Sequence, residues 1–299
     1  GRRAVLPLDA GLVVVGAGKG AAGLAAGVEA VVGSHVVDGC VIVPPGYERP
    51  LASIAVARGS HPVPDATSVA ATRRLLATLA RHPSAAVLVV LTGGASSLLV
   101  LPAPGLSLAD VRRTGTWLLA SGLDIAAANA VRKHVSAVTG GRLAARLVGR
   151  PAAAIIVSDV PDDDLAVIGS GPTVADPSTF RRAWALVCGV AGARALPAAV
   201  RRHLEHGARG RLVETPKPGS RAARACPTVL AAGNATARAH AAAWGLRAGF
   251  ARVVVRRSPL VGSTTEAART VARSLRAVAA RAGRGSPVLW IAGGETTVR

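Results

Sequence analysis

The chain has 299 residues, half of them apolar, which is enough for two domains of ordinary size and excludes global disorder. Aromatics make up only 2% and Met is absent, so any core is built from Ala, Val, Leu and Ile. The formal charge is +20, yet only three of the 36 cations are Lys (Lys19, Lys133, Lys217); with no basic tract interleaved with aromatics, the Arg excess reads as GC-rich coding bias and predicts no nucleic acid partner.

Along the chain, short apolar runs alternate with Ala-rich helical stretches. Leu12 to Val15 predicts a buried strand and Ala21 to Val32 a helix. Strands follow at Cys40 to Val43 and Ile54 to Ala57, then a helix over Thr67 to Ala80 and a strand over Ala86 to Leu91. Leu108 to Ser121 and Gly141 to Val148 read as helices, and Ala154 to Val157 as a further central strand. Strand-like runs recur at Val229 to Ala231, Val253 to Val255 and Val288 to Ile291. Continuous apolar strands are buried on both faces, and their alternation with helices predicts an α/β fold with a doubly wound, mostly parallel, Rossmann-like sheet. The Pro- and Gly-rich stretch Thr215 to Ser220 divides a larger domain, 1–215, from a smaller α/β domain, 226–299.

Cys40, Cys188 and Cys226 form neither C-x-x-C nor a zinc spacing, which makes a reducing, cytoplasmic location the expectation. Arg2-Arg3 before an apolar run imitates a signal peptide, but Asp9 and Lys19 interrupt it. Pro83 to Ala109 carries no charged side chain; Thr92-Gly93-Gly94 and Pro102-Ala103-Pro104-Gly105 break it, so no membrane span is predicted.

Ligands of open α/β sheets sit beyond the carboxyl ends of the strands. Five predicted strands there carry Gly with polar groups: Gly16-Ala17-Gly18-Lys19-Gly20, Thr92 to Ser97, Ser158 to Asp164, Gly233-Asn234, and Gly293 to Thr297. If the strands are parallel, these loops share one edge. Gly16 and Gly18 allow backbone amides to approach an anion at a helix N-terminus, with Lys19 as a point charge; a tight turn with an exposed Lys is the plainer reading. No Ser or Thr follows Lys19, so this is not a Walker A loop. Gly16, Gly18 and Ala21 also fit the dinucleotide G-x-G-x-x-A pattern, but Pro44-Pro45 stand where a ribose-binding acid is expected. In the next loop Ser96 or Ser97 can cap a helix or hold an anion.

Val131-Arg132-Lys133-His134 gathers three basic side chains, either a solvated helix face or a grip on a carboxylate. Asp159, Asp162, Asp163 and Asp164 form the densest acidic cluster. Oxygen ligands suit Mg²⁺, and a helix N-cap at Asp163 or Asp164 is the bland alternative. His61-Pro62-Val63-Pro64-Asp65 is a stiff loop, either a turn with Asp65 capping the next helix or a His/Asp platform near substrate.

Together the motifs Gly18-Lys19-x-Ala21-Ala22, His61 to Ser68, Gly93-Gly94-x-Ser96-x-Leu98-Leu99, Val131 to Ser136, Gly140-Gly141-Arg142, Ser158-Asp159-Val160, Ser170 to Thr173, Glu214 to Lys217, Gly233-Asn234 and Gly293 to Val298 resemble the class II, MOFRL-type glycerate 2-kinase family. The resemblance implies ATP-dependent phosphorylation of D-glycerate at its 2-hydroxyl, with Mg²⁺, by a Rossmann-like domain and a smaller domain flanking a cleft. On this reading Lys19 contacts the transferring phosphate, and Arg132 and Lys133 hold the glycerate carboxylate or the phosphates. Gly16, Gly18, Gly93, Gly94, Ser96, Ser97 and Asn234 line the substrate and phosphate site. Asp159 positions the metal or the attacking hydroxyl, and Glu295 assists the metal. Relatives carry a further N-terminal helical segment and continue past the Gly-Gly-Glu-Thr-Thr motif, so the resemblance implies truncation at both ends, an incomplete second domain and poor activity of this form. The rivals are an NAD(P)H-dependent hydroxypyruvate reductase and a non-catalytic anion-binding module. The oligomeric state, a homo-oligomer included, is open.

Overall fold

The computed structural model describes residues 5–281 and 287–297; Arg2, Arg3 and Val298, which entered the signal-segment and motif readings, lie outside them. In chain order the elements are β1 (Leu12–Ala17), α1 (Ala21–Val32), β2 (Val36–Val43), β3 (Ala55–Arg58), α2 (Ala66–Arg81), β4 (Ala86–Leu91), α3 (Ala95–Leu98), α4 (Leu108–Ala120), α5 (Ile125–His134), α6 (Arg142–Ala145), β5 (Ala152–Val157), α7 (Phe180–Cys188), α8 (Ala198–Ala208), α9 (Arg221–Arg224), β6 (Thr228–Ala232), α10 (Asn234–Arg247), β7 (Arg252–Val255), α11 (Thr264–Ala280) and β8 (Val288–Ile291). By contacts the chain falls into two compact units, Gly1–Ile156 with Leu165–Val229, and Val157–Asp164 with Leu230–Arg299.

Strands order as β3-β2-β1-β4-β5-β6 in one six-stranded sheet, with β1–β2, β2–β3, β1–β4 and β4–β5 parallel. This is the strand order of the doubly wound dinucleotide-binding fold, whose topological switch point lies between β1 and β4. All six residues of β1 and of β4 are buried, as expected of central parallel strands covered on both faces. One core cluster joins β1, β2 and β4 to Ala21, Ala22 and Ala25 of α1; small alanines let that helix lie close. A second core gathers Trp117, Val131, Phe180, Val187, Val200 and Leu204 from α4, α5, α7 and α8.

Helix starts follow the side chains that cap them. Asp65 accepts from the Thr67 and Ser68 amides at α2, Asp124 from Ala127 at α5 and Thr179 from Arg182 at α7, and Ser107 with Asp110 forms a full capping box at α4. The helix predicted over Gly141 to Val148 contracts to α6, because Gly140 and Gly141 are left-handed at φ +59° and +80° and Gly149 turns the chain again at +92°. α7 and α8 fall where the sequence reading places no element.

In the second unit, β7 and β8 pair in parallel as a two-stranded sheet, with α10 packed on both strands and α11 on β8. The Gly293 to Thr297 segment therefore follows a strand of a separate sheet, so the expectation that all five loops leave one sheet fails. Among the described residues no helix is long and apolar enough to cross a membrane; the uncharged run 83–109 holds β4, the single turn α3 and the start of α4.

Candidate functional site

β1 and β4 are hydrogen-bonded neighbours, with Ala17 opposite Leu91, so the segments that follow them emerge side by side. Gly18 is left-handed at φ +133°, and a Cβ there would overlap the Thr92 hydroxyl and carbonyl. Gly16 lies inside β1 opposite Val41 and Val90, and its missing side chain admits the Val90 backbone rather than a ligand. The amides of the first loop are already engaged: Gly18 donates to Ile42 O (3.0 Å), Lys19 to Gly93 O (2.8 Å) and Gly20 to Thr92 Oγ1 (2.9 Å). The phosphate cradle expected there is absent, because those N–H groups tie β1 to β2 and β4. The exposed Lys19 side chain remains.

The second loop differs. Among the described residues the Gly93 and Gly94 amides meet no acceptor within the protein. Gly94 is left-handed at φ +86°, and a Cβ placed on it would stand 3.2 Å from His61 Cε1 and 3.5 Å from Lys19 Cγ. The His61 ring, the Lys19 stem and the two glycine amides thus occupy one spot at the switch point. His61 Nδ1 lies 2.7 Å from Ser97 Oγ, which is also 3.2 Å from Gly94 O. Ser96 and Ser97 do not cap α3, whose N-cap is Gly94. Ser96 is exposed, and its hydroxyl lies 3.5 Å from that of the buried Ser170. Ser170 itself is left-handed at φ +59°, between Gly169 and Gly171 in the same conformation, a run of strained backbone of the kind that clusters at functional sites.

α5 carries the second group. Lys133 and His134 are buried, so the solvated-face reading of that segment fails. Lys133 Nζ pairs with Asp176 at 3.5 Å, with both side chains almost wholly enclosed. Asp176 also accepts from Ser178 Oγ (2.7 Å) and Thr215 Oγ1 (2.9 Å). Burial works to raise the Asp176 carboxyl, but the Ser178 and Thr215 hydroxyls and the Lys133 charge outweigh it and hold the group below the usual carboxylate range. His134 Nδ1 donates to Ala130 O (2.7 Å), and its Nε2 stands 3.2 Å from Glu214 Oε2, which also pairs with Lys217 at 3.1 Å. Burial pulls the His134 imidazole down despite these partners. Arg132 is half-buried, its side chain makes no hydrogen bond or ion pair among the described residues, and burial lowers its guanidinium likewise. Asp176 carries no sequence signal: it is a single Asp in a loop, found only because Lys133 folds onto it.

In the second unit Asp159 and Glu295 are exposed. No helix begins at Asp163 or Asp164, so neither is an N-cap; Asp163 instead turns left-handed at φ +54° and lays its carboxylate against Gly233, with Oδ1 buried and unpartnered among the described residues. Asn234 packs its amide against Gly293. That unit therefore brings the Asp163, Gly233-Asn234 and Gly293 segments together. Among the described residues no group of three or more His, Cys, Asp or Glu side chains is placed to hold a metal ion. Single exposed carboxylates with the orphaned Asp163 oxygen are a donor set that fits Mg²⁺ delivered on nucleotide phosphates, which takes only one or two protein ligands. Burial pushes the thiols of Cys40 and Cys226 up to about 11 and about 12, so neither is a nucleophile at neutral pH.

A Pyrococcus horikoshii protein named glycerate 2-kinase is 35% identical over 291 residues, covering 95% of this chain and 64% of its own. An Agrobacterium vitis protein named for hydroxypyruvate reductase is 38% identical over 293 residues, covering 96% of this chain and 63% of its own. The crystal structure of a glycerate kinase (EC 2.7.1.31) from Thermotoga maritima superposes with a TM-score of 0.79 at 30% identity, covering 96% of this chain and 67% of that one. The chain thus spans less than two thirds of the length of the two curated relatives. The family described as "Domain of unknown function (DUF4147)" matches residues 3–205, and the chain belongs to that family.

Proposed function

We propose that the protein is a glycerate 2-kinase, a phosphotransferase that moves the γ-phosphoryl group of ATP to the 2-hydroxyl of D-glycerate. The observation that carries this reading is the Lys19 stem beside Gly94, where two adjacent glycine amides have no acceptor among the described residues. Such a loop is an anion site with its donors already aimed, and phosphoryl transfer needs positioning and charge neutralisation rather than covalent chemistry by the protein. Lys19 meets the transferring phosphoryl oxygens as the bond to the leaving phosphate breaks. Gly93 and Gly94 hold the same anion through their amides, and Ser96 and Ser97 complete the wall. Arg132 and Lys133 carry positive charge for the glycerate carboxylate or the phosphates. Within the second unit, Asp159 and Glu295 would hold Mg²⁺, which when bound neutralises phosphate charge, and Asn234 would meet a phosphate. On this reading a Rossmann-like glycerate kinase domain, 1–215, precedes a smaller, incomplete α/β domain, 226–299, in a cytoplasmic enzyme.

The Pyrococcus horikoshii relative named glycerate 2-kinase and the solved glycerate kinase from Thermotoga maritima favour this reading. The name hydroxypyruvate reductase among them keeps a second reading in play. Against it, the first glycine loop has its amides engaged, and β2 runs out into Pro44-Pro45 with no acid for a ribose. Mass-resolved product analysis with ATP, Mg²⁺ and D-glycerate decides: 2-phosphoglycerate supports the kinase. Oxidation of NADH or NADPH by hydroxypyruvate without ATP, and no phosphorylated product, overturns it.

A further inference from the structure

Three buried polar side-chain atoms in one stretch of the first unit have no hydrogen-bond partner among the described residues: Asn129 Nδ2, Thr139 Oγ1 and Arg142 Nε. Asn129 is only 4% exposed. An amide enclosed and unpaired is costly, and native proteins keep few of them without a ligand or a water to receive the hydrogen. Asn129 stands one helical turn before Lys133 and three residues before Arg132, and side chains at these spacings lie on one face of α5.

The charges point the same way. Lys133, Lys217 and Arg142 surround Asp176 and Glu214, which answer two of them: Lys133 pairs with Asp176, Lys217 pairs with Glu214, and Arg142 feels both carboxylates. Arg132 adds a fourth cation, so positive charge is in surplus. Lys133 is closed into its ion pair, so on α5 the Arg132 guanidinium and the Asn129 amide have donors that meet no acceptor among the described residues, as does Arg142 Nε beyond the helix.

We infer that Asn129 and Arg132 form the subsite for the carboxylate end of a small hydroxy acid, with Lys133 and Asp176 as the buried pair that stiffens it. A planar guanidinium takes a carboxylate through two parallel N–H donors, and the amide supplies one more donor and an acceptor for a hydroxyl. The subsite adjoins the glycine loop. The single turn 168–170 packs against both α5 and α3, and its Ser170 hydroxyl reaches Ser96. A three-carbon acid held at α5 would present its hydroxyl toward the anion loop.

The assignment rests on the kinase reading only for the identity of the acid. Calorimetry of the full chain with D-glycerate and, separately, with D-lactate tests it on the parent, Asn129→Leu and Arg132→Gln, with MgATP titrated in parallel. Both variants should bind D-glycerate at least tenfold more weakly and MgATP within about twofold of the parent. Asn129→Leu should hold or raise the melting temperature, since an orphaned amide is replaced by an apolar group. Unchanged D-glycerate affinity in both variants, or a parent that binds neither acid, overturns the subsite. A parent that binds either acid through these two residues but transfers no phosphate supports the subsite and refutes the kinase reading instead.

Discussion

Replacing Asp176 with Ala removes the carboxylate bonded to Lys133, in a place that water does not reach. The two side chains are 7% and 1% exposed, so the ammonium left behind has no solvent to turn to. Breaking a buried pair from one side costs about 3–5 kcal/mol, because the remaining charge is unpaired. The hydroxyls of Ser178 and Thr215 lose their acceptor at the same time. In a domain of 150–250 residues each kcal/mol moves Tm by roughly 2–4 °C, so the variant should melt roughly 6–20 °C below the parent. Adding Lys133→Met should restore part of that loss, with a coupling of about 0.5–3 kcal/mol between the two positions. Scanning calorimetry with urea denaturation reads both effects. The reasoning fails if Asp176→Ala lies within about 1 kcal/mol of the parent, or if the double variant simply adds the two single costs.

Other perturbations act on different parts of the fold. Gly16→Ala forces a methyl group into the Val90 carbonyl across the β1–β4 ladder and should destabilise by at least about 1–3 kcal/mol; a urea midpoint equal to the parent's would contradict it. Arg150 donates to the carbonyls of Leu79 (3.0 Å), His82 (2.6 Å) and Ala85 (2.9 Å) at the end of α2. Arg150→Ala should cost about 1–3 kcal/mol by the same measurement, and an unchanged midpoint would show those carbonyls satisfied by solvent. Acid should weaken the fold in two stages. Burial lowers His134 and His203, so below about pH 6.5 the unfolded chain takes up protons that the folded one refuses. Asp176 and Glu214 are lowered as well: burial raises both, but hydroxyl and cation partners outweigh it for Asp176, and the Phe180 amide and Lys217 for Glu214. Their share is present above the ordinary carboxylate range and is lost as pH falls through it. Unfolding free energy should therefore drop from pH 7 to pH 5 and again toward pH 4; a flat or rising profile would refute the assignment.

The sheet was legible because its strands are unbroken apolar runs. Leu12 to Val15 and Ala86 to Leu91 need burial on both faces, and glycines at their ends leave the chain free to turn into a helix. The adjacency of β1 and β4, which puts Lys19 beside Gly94, was not legible, since pairing order is set by long-range packing rather than by either segment. The first glycine loop misled for the same reason: its amides look available until β2 and β4 supply their acceptors. Asp65 as a cap was readable from its position before an amphipathic run. The cap offered at Asp163 or Asp164 does not form, because Asp163 itself turns left-handed and no helix begins there. Lys133 drew notice by its rarity, but its partner Asp176, 43 positions later, left no local trace. Asn129 looks like any polar residue in a helix until its burial is known.

The central claim is that Lys19 and the Gly93-Gly94 amides stabilise a phosphoryl group in flight to a hydroxy acid. Product analysis of the parent and Lys19→Ala, side by side with ATP, Mg²⁺ and D-glycerate, tests it most directly. Lys19 is exposed and has no structural partner for its ammonium among the described residues, so the variant should keep the parent's Tm while its turnover falls by on the order of a hundredfold or more. Equal rates of 2-phosphoglycerate formation by the two proteins would contradict the account.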